Sequence, residues 1–128
     1  MLDPNLLAFV RNSVQSIWSL ELLLLLRRKA PEGLNVDEIV GALRSSHRLM
    51  SRCLEQLGHA GLVSRDEAGI ARFAPANREL AALCDALDKA SQERPIALRD
   101  AIASSPDDKL RNFSDAFRLK GPEKGKDE

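Results

Sequence analysis

Residues 45–75, SSHRLMSRCLEQLGHAGLVSRDEAGIARFAP, constrain the fold more than any other part of the chain. Met50, Cys53, Leu54 and Leu57 recur at helical spacing and form one apolar stripe. At about 100° per residue, Arg48, Arg52, Glu55 and His59 fall on the opposite face, with Ser51 beside them. Gly61 suits the left-handed position that ends a helix. Leu62-Val63-Ser64-Arg65 and Ile70-Ala71-Arg72-Phe73 then read as strands, joined by the turn Asp66-Glu67-Ala68-Gly69. Pro75 closes the second strand. The spacing predicts a helix over 46–60 followed at once by a short hairpin.

Upstream, Asn35 and Glu38 make an N-x-x-E capping arrangement for a helix over 36–43. Its stripe is Val36, Ile39, Val40 and Leu43. Arg44-Ser45-Ser46 forms a polar turn in which either serine can cap the next helix. Further upstream, Asp3-Pro4 opens a helix whose apolar face is Leu6, Leu7, Phe9 and Val10. A second helix over 16–29, stopped by Pro31 and Gly33, contains Trp18 and the run Leu22-Leu23-Leu24-Leu25-Leu26. That helix has almost no polar face, so it must be covered on several sides. A second subunit is the expected cover, which places Trp18, Leu22, Leu23, Leu25 and Leu26 at a dimer or partner interface.

Downstream, residues 77–94 are helical, with Leu80, Leu83, Cys84 and Leu87 in register. Pro95 either breaks that helix or starts a short one containing Ile96, Leu98 and Ile102. Ser105-Pro106-Asp107-Asp108 is a helix start, and Leu110, Phe113 and Phe117 follow on one stripe. That stripe reads as docked on its own chain or a dimer mate, or else as a site for a transient partner. Residues 121–128 are polar and predicted to be disordered.

The fold class expected is mainly α with a small β-hairpin. It divides into a helical extension over 1–15, a central domain over 16–90, C-terminal helices over 91–120 and a tail.

The order of these elements resembles the winged helix-turn-helix superfamily, and in particular small bacterial transcriptional regulators of the MarR and ArsR type. The residues that carry the likeness are Asn35-Val36-Asp37-Glu38-Ile39, Met50-Ser51-Arg52-Cys53-Leu54-Glu55-Gln56-Leu57 and Ala60-Gly61-Leu62-Val63. In those families the corresponding segment is a recognition helix ending in L-x-x-x-G-L-V before the wing. The likeness spans residues 16–87. It implies a homodimer that binds double-stranded DNA with the helix over 46–60 in the major groove. The contacts it implies are Arg44, Ser45, Ser46, His47, Arg48, Ser51, Arg52, Arg65 and Arg72. The sequence departs from the pattern at the wing tip, where Asp66-Glu67 would repel phosphates.

Charge narrows the reading further. Nineteen Lys and Arg balance nineteen Asp and Glu, so DNA binding must rest on where charges lie and not on their sum. The neutral sum and acidic wing tip also motivate a second expectation, a winged-helix module that binds protein and not DNA. His47 can reach a phosphate or sit inert on the surface, and His59 suits the negative end of its helix.

No nucleophile–base set, phosphate loop or zinc spacing is visible, so no catalysis, cofactor or metal is expected. Cys53 and Cys84 lie in apolar helical patterns, as reduced thiols of a cytosolic protein would. The leucine run falls short of the roughly twenty apolar residues of a spanning helix, and the first residues lack a secretion signal. A cytoplasmic protein with no membrane contact is expected.

Overall fold

The computed structural model describes residues 2–103. They form α1 (Pro4–Ser13), α2 (Ile17–Lys29), α3 (Val36–Leu43), α4 (His47–His59), β1 (Val63–Arg65), β2 (Ala71–Phe73), α5 (Arg78–Glu93) and α6 (Pro95–Ala103). The protein is thus mainly helical with one small antiparallel hairpin, as the sequence predicts. Leu110, Phe113, Phe117 and the tail over 121–128 lie outside the described residues.

Local chemistry sets where the helices begin. Asp3 accepts from the Asn5 N–H at 2.8 Å, Ser16 from Ser19 at 3.1 Å and Asn77 from Leu80 at 2.8 Å. Asn35 and Glu38 complete a reciprocal capping box, at 2.8 and 2.9 Å. Ser46, not Ser45, caps α4 by accepting from the Leu49 N–H at 3.2 Å. Each such cap contributes about 1 kcal/mol by satisfying a donor the helix leaves free.

The end of α4 is equally explicit. Gly61 has φ +78°, its N–H donates to Gly58 at 3.0 Å, and the Leu62 N–H donates to Leu57 at 3.0 Å. This pair of bonds is a Schellman motif, which turns the chain straight from α4 into β1.

In the hairpin, Val63 faces Phe73, Ser64 faces Arg72 and Arg65 faces Ala71. A bridge missing from the sequence expectations joins it to the start of α3. Leu34 and Ala71 exchange N–H to O=C bonds of 2.9 and 2.8 Å. Gly33 permits that approach, because a Cβ there would lie 2.8 Å from the Ala71 oxygen and 2.5 Å from Ile70 Cγ2.

The expectation that the leucine run needs a second subunit is corrected here. Leu22, Leu23 and Leu26 are fully buried within the chain, and Leu24 nearly so. The reason is that α2 is the central helix: α3, α4, β2 and α6 all pack against it. The Leu34 bridge brings the hairpin onto this helix and α6 closes another side, so one chain supplies the neighbours. Leu25 is only half-buried, and Trp18 keeps 38% of its surface exposed. No helix among the described residues is long and apolar enough to cross a membrane.

Two polar clusters hold the frame. Arg27 of α2 sits between Asp85 and Asp88 of α5, and Arg28 reaches Asp88 at 3.4 Å. The hydrogen bond to Asp85, foremost, and the two negative charges hold the Arg27 guanidinium above its ordinary pKa. Gln56 of α4 donates to the Ser13 carbonyl at 2.9 Å and accepts from the Ser19 hydroxyl at 3.2 Å. That side chain fastens α4 to the junction of α1 and α2.

Candidate nucleic-acid interface

The outward face of α4 is built as the stripe demands. Met50, Cys53, Leu54 and Leu57 are buried against α2 and its neighbours, while Arg48, Arg52, Glu55 and His59 are exposed. Ser51 is half-buried beside them. Over residues 44–65 four arginines (44, 48, 52 and 65) stand against one acid, Glu55, an excess of three positive charges with histidines neutral. The whole chain has none. No ion pair among the described residues includes any of these four arginines.

The remaining expected contacts divide differently. His47 is turned to the preceding helix, its Nε2 2.6 Å from Asp37 Oδ1. Arg72 donates to Asp66 Oδ2 at 3.0 Å. Ser46 spends its hydroxyl on the cap, and the Ser45 hydroxyl oxygen is buried without a partner. The expectation that Ser45 offers its hydroxyl to DNA is corrected: the turn between α3 and α4 folds it inward. Arg44 occupies the end of α3 with φ 53°, a left-handed conformation that disfavours a Cβ, and its side chain is exposed.

The hairpin tip is less acidic in effect than it is in sequence. Asp66 Oδ1 accepts from the Ala68 and Ile70 N–H groups at 2.9 and 3.0 Å, and the Gly69 N–H returns to the Asp66 carbonyl at 2.9 Å. The bond from Ile70, then that from Arg72, then that from Ala68, hold the Asp66 carboxyl below its ordinary pKa. Asp66 is the residue that closes this turn, and an Asp followed three positions later by Gly is a legible signal for that role. Its carboxylate is committed within the hairpin, and it takes Arg72 with it.

Between α4 and β1 lies an open cleft of about 420 Å3, lined by Arg52, Leu54, Glu55, His59, Val63 and Arg65 among others. The sequence placed Arg52 and Arg65 separately, on helix and hairpin. The Schellman turn brings them to one concavity. The two cysteines are elsewhere and buried; burial pushes the Cys84 thiol up to about 11, so it stays protonated at neutral pH.

The described residues form a mainly helical fold in which α3, a short turn and α4 lead into a small hairpin, and the arginines on the outward face of α4 form no ion pair among the described residues. Comparison with known protein families and with curated proteins finds no match to this chain.

Proposed function

We propose that the protein is a DNA-binding transcriptional regulator of the winged helix-turn-helix kind, with α4 as the helix that enters the major groove. The single observation that carries this reading is the set of arginines 44, 48, 52 and 65, exposed and without acidic partners among the described residues, a local positive excess in a chain whose charges sum to zero. Of the other described arginines, Arg27, Arg28, Arg72 and Arg99 meet a carboxylate, whereas Arg11, Arg78 and Arg94 are exposed without an ion pair among the described residues but do not share one helix-and-strand segment as 44, 48, 52 and 65 do. Arginines left open on a helix-turn-helix suit guanine edges and phosphates.

The reading is helix-weighted, because Asp66 engages Arg72 and Glu67 sits beside it at the wing tip. A homodimer would place two copies of α4 about 34–36 Å apart, one DNA turn. The buried leucines of α2 do not serve it, whereas Trp18 and Leu25 remain at the surface. Such a regulator works in the cytoplasm, where Cys53 and Cys84 stay as thiols.

The test is a duplex titration with the Arg48→Ala/Arg52→Ala variant. Binding is expected to weaken by about tenfold or more, with the slope of log K against log salt smaller by about 1.8, or 0.9 per phosphate lost. Unchanged affinity and slope would remove α4 from the mechanism. Zero net charge, with Ile96 75% exposed and Trp18 38% exposed, favours a second reading, a winged-helix module that binds protein. A stoichiometric protein partner retained after nuclease treatment, with no duplex binding, would select it.

A further inference from the structure

We propose that the cleft between α4 and β1 is an anion site that takes one phosphodiester of the duplex backbone, held between Arg52 and Arg65. The inference rests on the DNA-binding reading and adds to it the group recognised and the two residues that share it. Arg52 rises from α4 on one side of the cleft, and Arg65 ends β1 on the other. The one carboxylate that lines the cleft is Glu55, and it forms no ion pair with either arginine.

Charge complementarity identifies the occupant. Arg52 and Arg65 both line the cleft, and two guanidinium groups suit the two free oxygens of a phosphodiester, one fork to each. His59, also on the wall, becomes a third donor when its ring presents an N–H. The cleft is open to solvent, as access for a continuous polymer backbone requires. Leu54 and Val63 leave its walls partly apolar, so a bound phosphate faces less competing water than it would on a flat surface. Arg65 is the hairpin's cation here, since Arg72 stands opposite Ser64 on the other face of the hairpin and is engaged by Asp66.

Sharing one phosphate has a consequence that separate contacts lack. Arg52→Gln and Arg65→Gln are each expected to lower duplex affinity about tenfold. Together they should lose clearly less than the hundredfold product of the two, because the first substitution already loosens the clamp. The salt slope of the double variant should fall by about 0.9, one phosphate, and not by about 1.8, two. Inorganic phosphate, titrated into the full chain, should shift the amide resonances of Gly58, His59 and Val63, and the double variant should abolish those shifts. Thermal melting of each variant monitors folding, and both side chains are exposed enough for it to hold.

Multiplicative losses with a slope change of about 1.8 would overturn the shared clamp while leaving the DNA reading intact. Phosphate-induced shifts without duplex binding would overturn the DNA reading and identify free phosphate as the ligand of the same cleft. No shift at those amides with either probe would overturn the site itself.

Discussion

Helices α2 and α4 are both thirteen residues long, and they spend their sequences in opposite ways. In α2 the leucines face four neighbouring elements, and the arginines at its end are neutralised by Asp85 and Asp88. In α4 one stripe reaches the core while the arginines meet no acid among the described residues. Most of the first helix is occupied by its own chain, with Trp18 and Leu25 left toward the surface. The second keeps a charged face whose arginines form no ion pair among the described residues. Burial and ion pairing therefore separate the scaffold from the surface available for recognition, even though each helix is rich in leucine and arginine.

The comparison breaks most readily at the scaffold. Leu23→Ala should cost about 2–5 kcal/mol, the loss of a fully buried leucine plus the cavity left behind. Urea denaturation would register it as a lower midpoint with little change in slope. The arginine pair Arg48→Ala/Arg52→Ala, in contrast, should shift stability by no more than about 0.5 kcal/mol. Equal effects of the two on stability would erase the distinction drawn between the helices.

A smaller effect sharpens it at the turn entering α4. Arg44→Gly removes the Cβ from a left-handed position and is expected to stabilise the fold by up to about 1 kcal/mol. The same change deletes one of the four open cations, so duplex binding should weaken as melting temperature rises. A variant that gains stability without losing affinity would place Arg44 outside the interface.

The smallest effect concerns the hairpin. Asp66→Asn retains an acceptor for the Ala68 and Ile70 N–H groups but removes the charge that holds Arg72. Duplex binding should tighten modestly, because Arg72 is released and one negative charge is lost. The folded-state pKa of Asp66 lies below its unfolded value, so its contribution is present at neutral pH and fades as pH falls. The difference in melting temperature between the natural chain and Asp66→Asn should therefore shrink between about pH 5 and pH 2. A difference that stays constant over that range would show the carboxylate to be unlinked to folding.

What was legible in the sequence was local. The Asn35–Glu38 capping box, the Gly61 stop, the α4 stripe and the two strands all rest on residues within a few positions of one another. Each strand came out one residue shorter at its start than the apolar pattern implied. What was not legible depended on distant partners. Nothing near Leu34 announces its bridge to Ala71, and nothing near Gln56 announces its bonds to Ser13 and Ser19.

The leucine run misled for the same reason: its cover comes from elements on both sides of it in the chain, which periodicity does not count. In the candidate site, exposure of Arg48 and Arg52 followed from helical spacing alone. The engagement of His47 by Asp37 and of Arg72 by Asp66 required the fold. So did the cleft that joins Arg52 to Arg65.

The central claim is that the outward face of α4 is the surface that meets DNA. Amide resonances followed through a titration of the full chain with a short duplex test it most directly. The account predicts saturable shifts confined to residues 44–65, strongest around Arg48, Arg52 and the cleft beside Arg65, with α2 unmoved. Shifts centred on Trp18 and Ile96, or none at all, would contradict it.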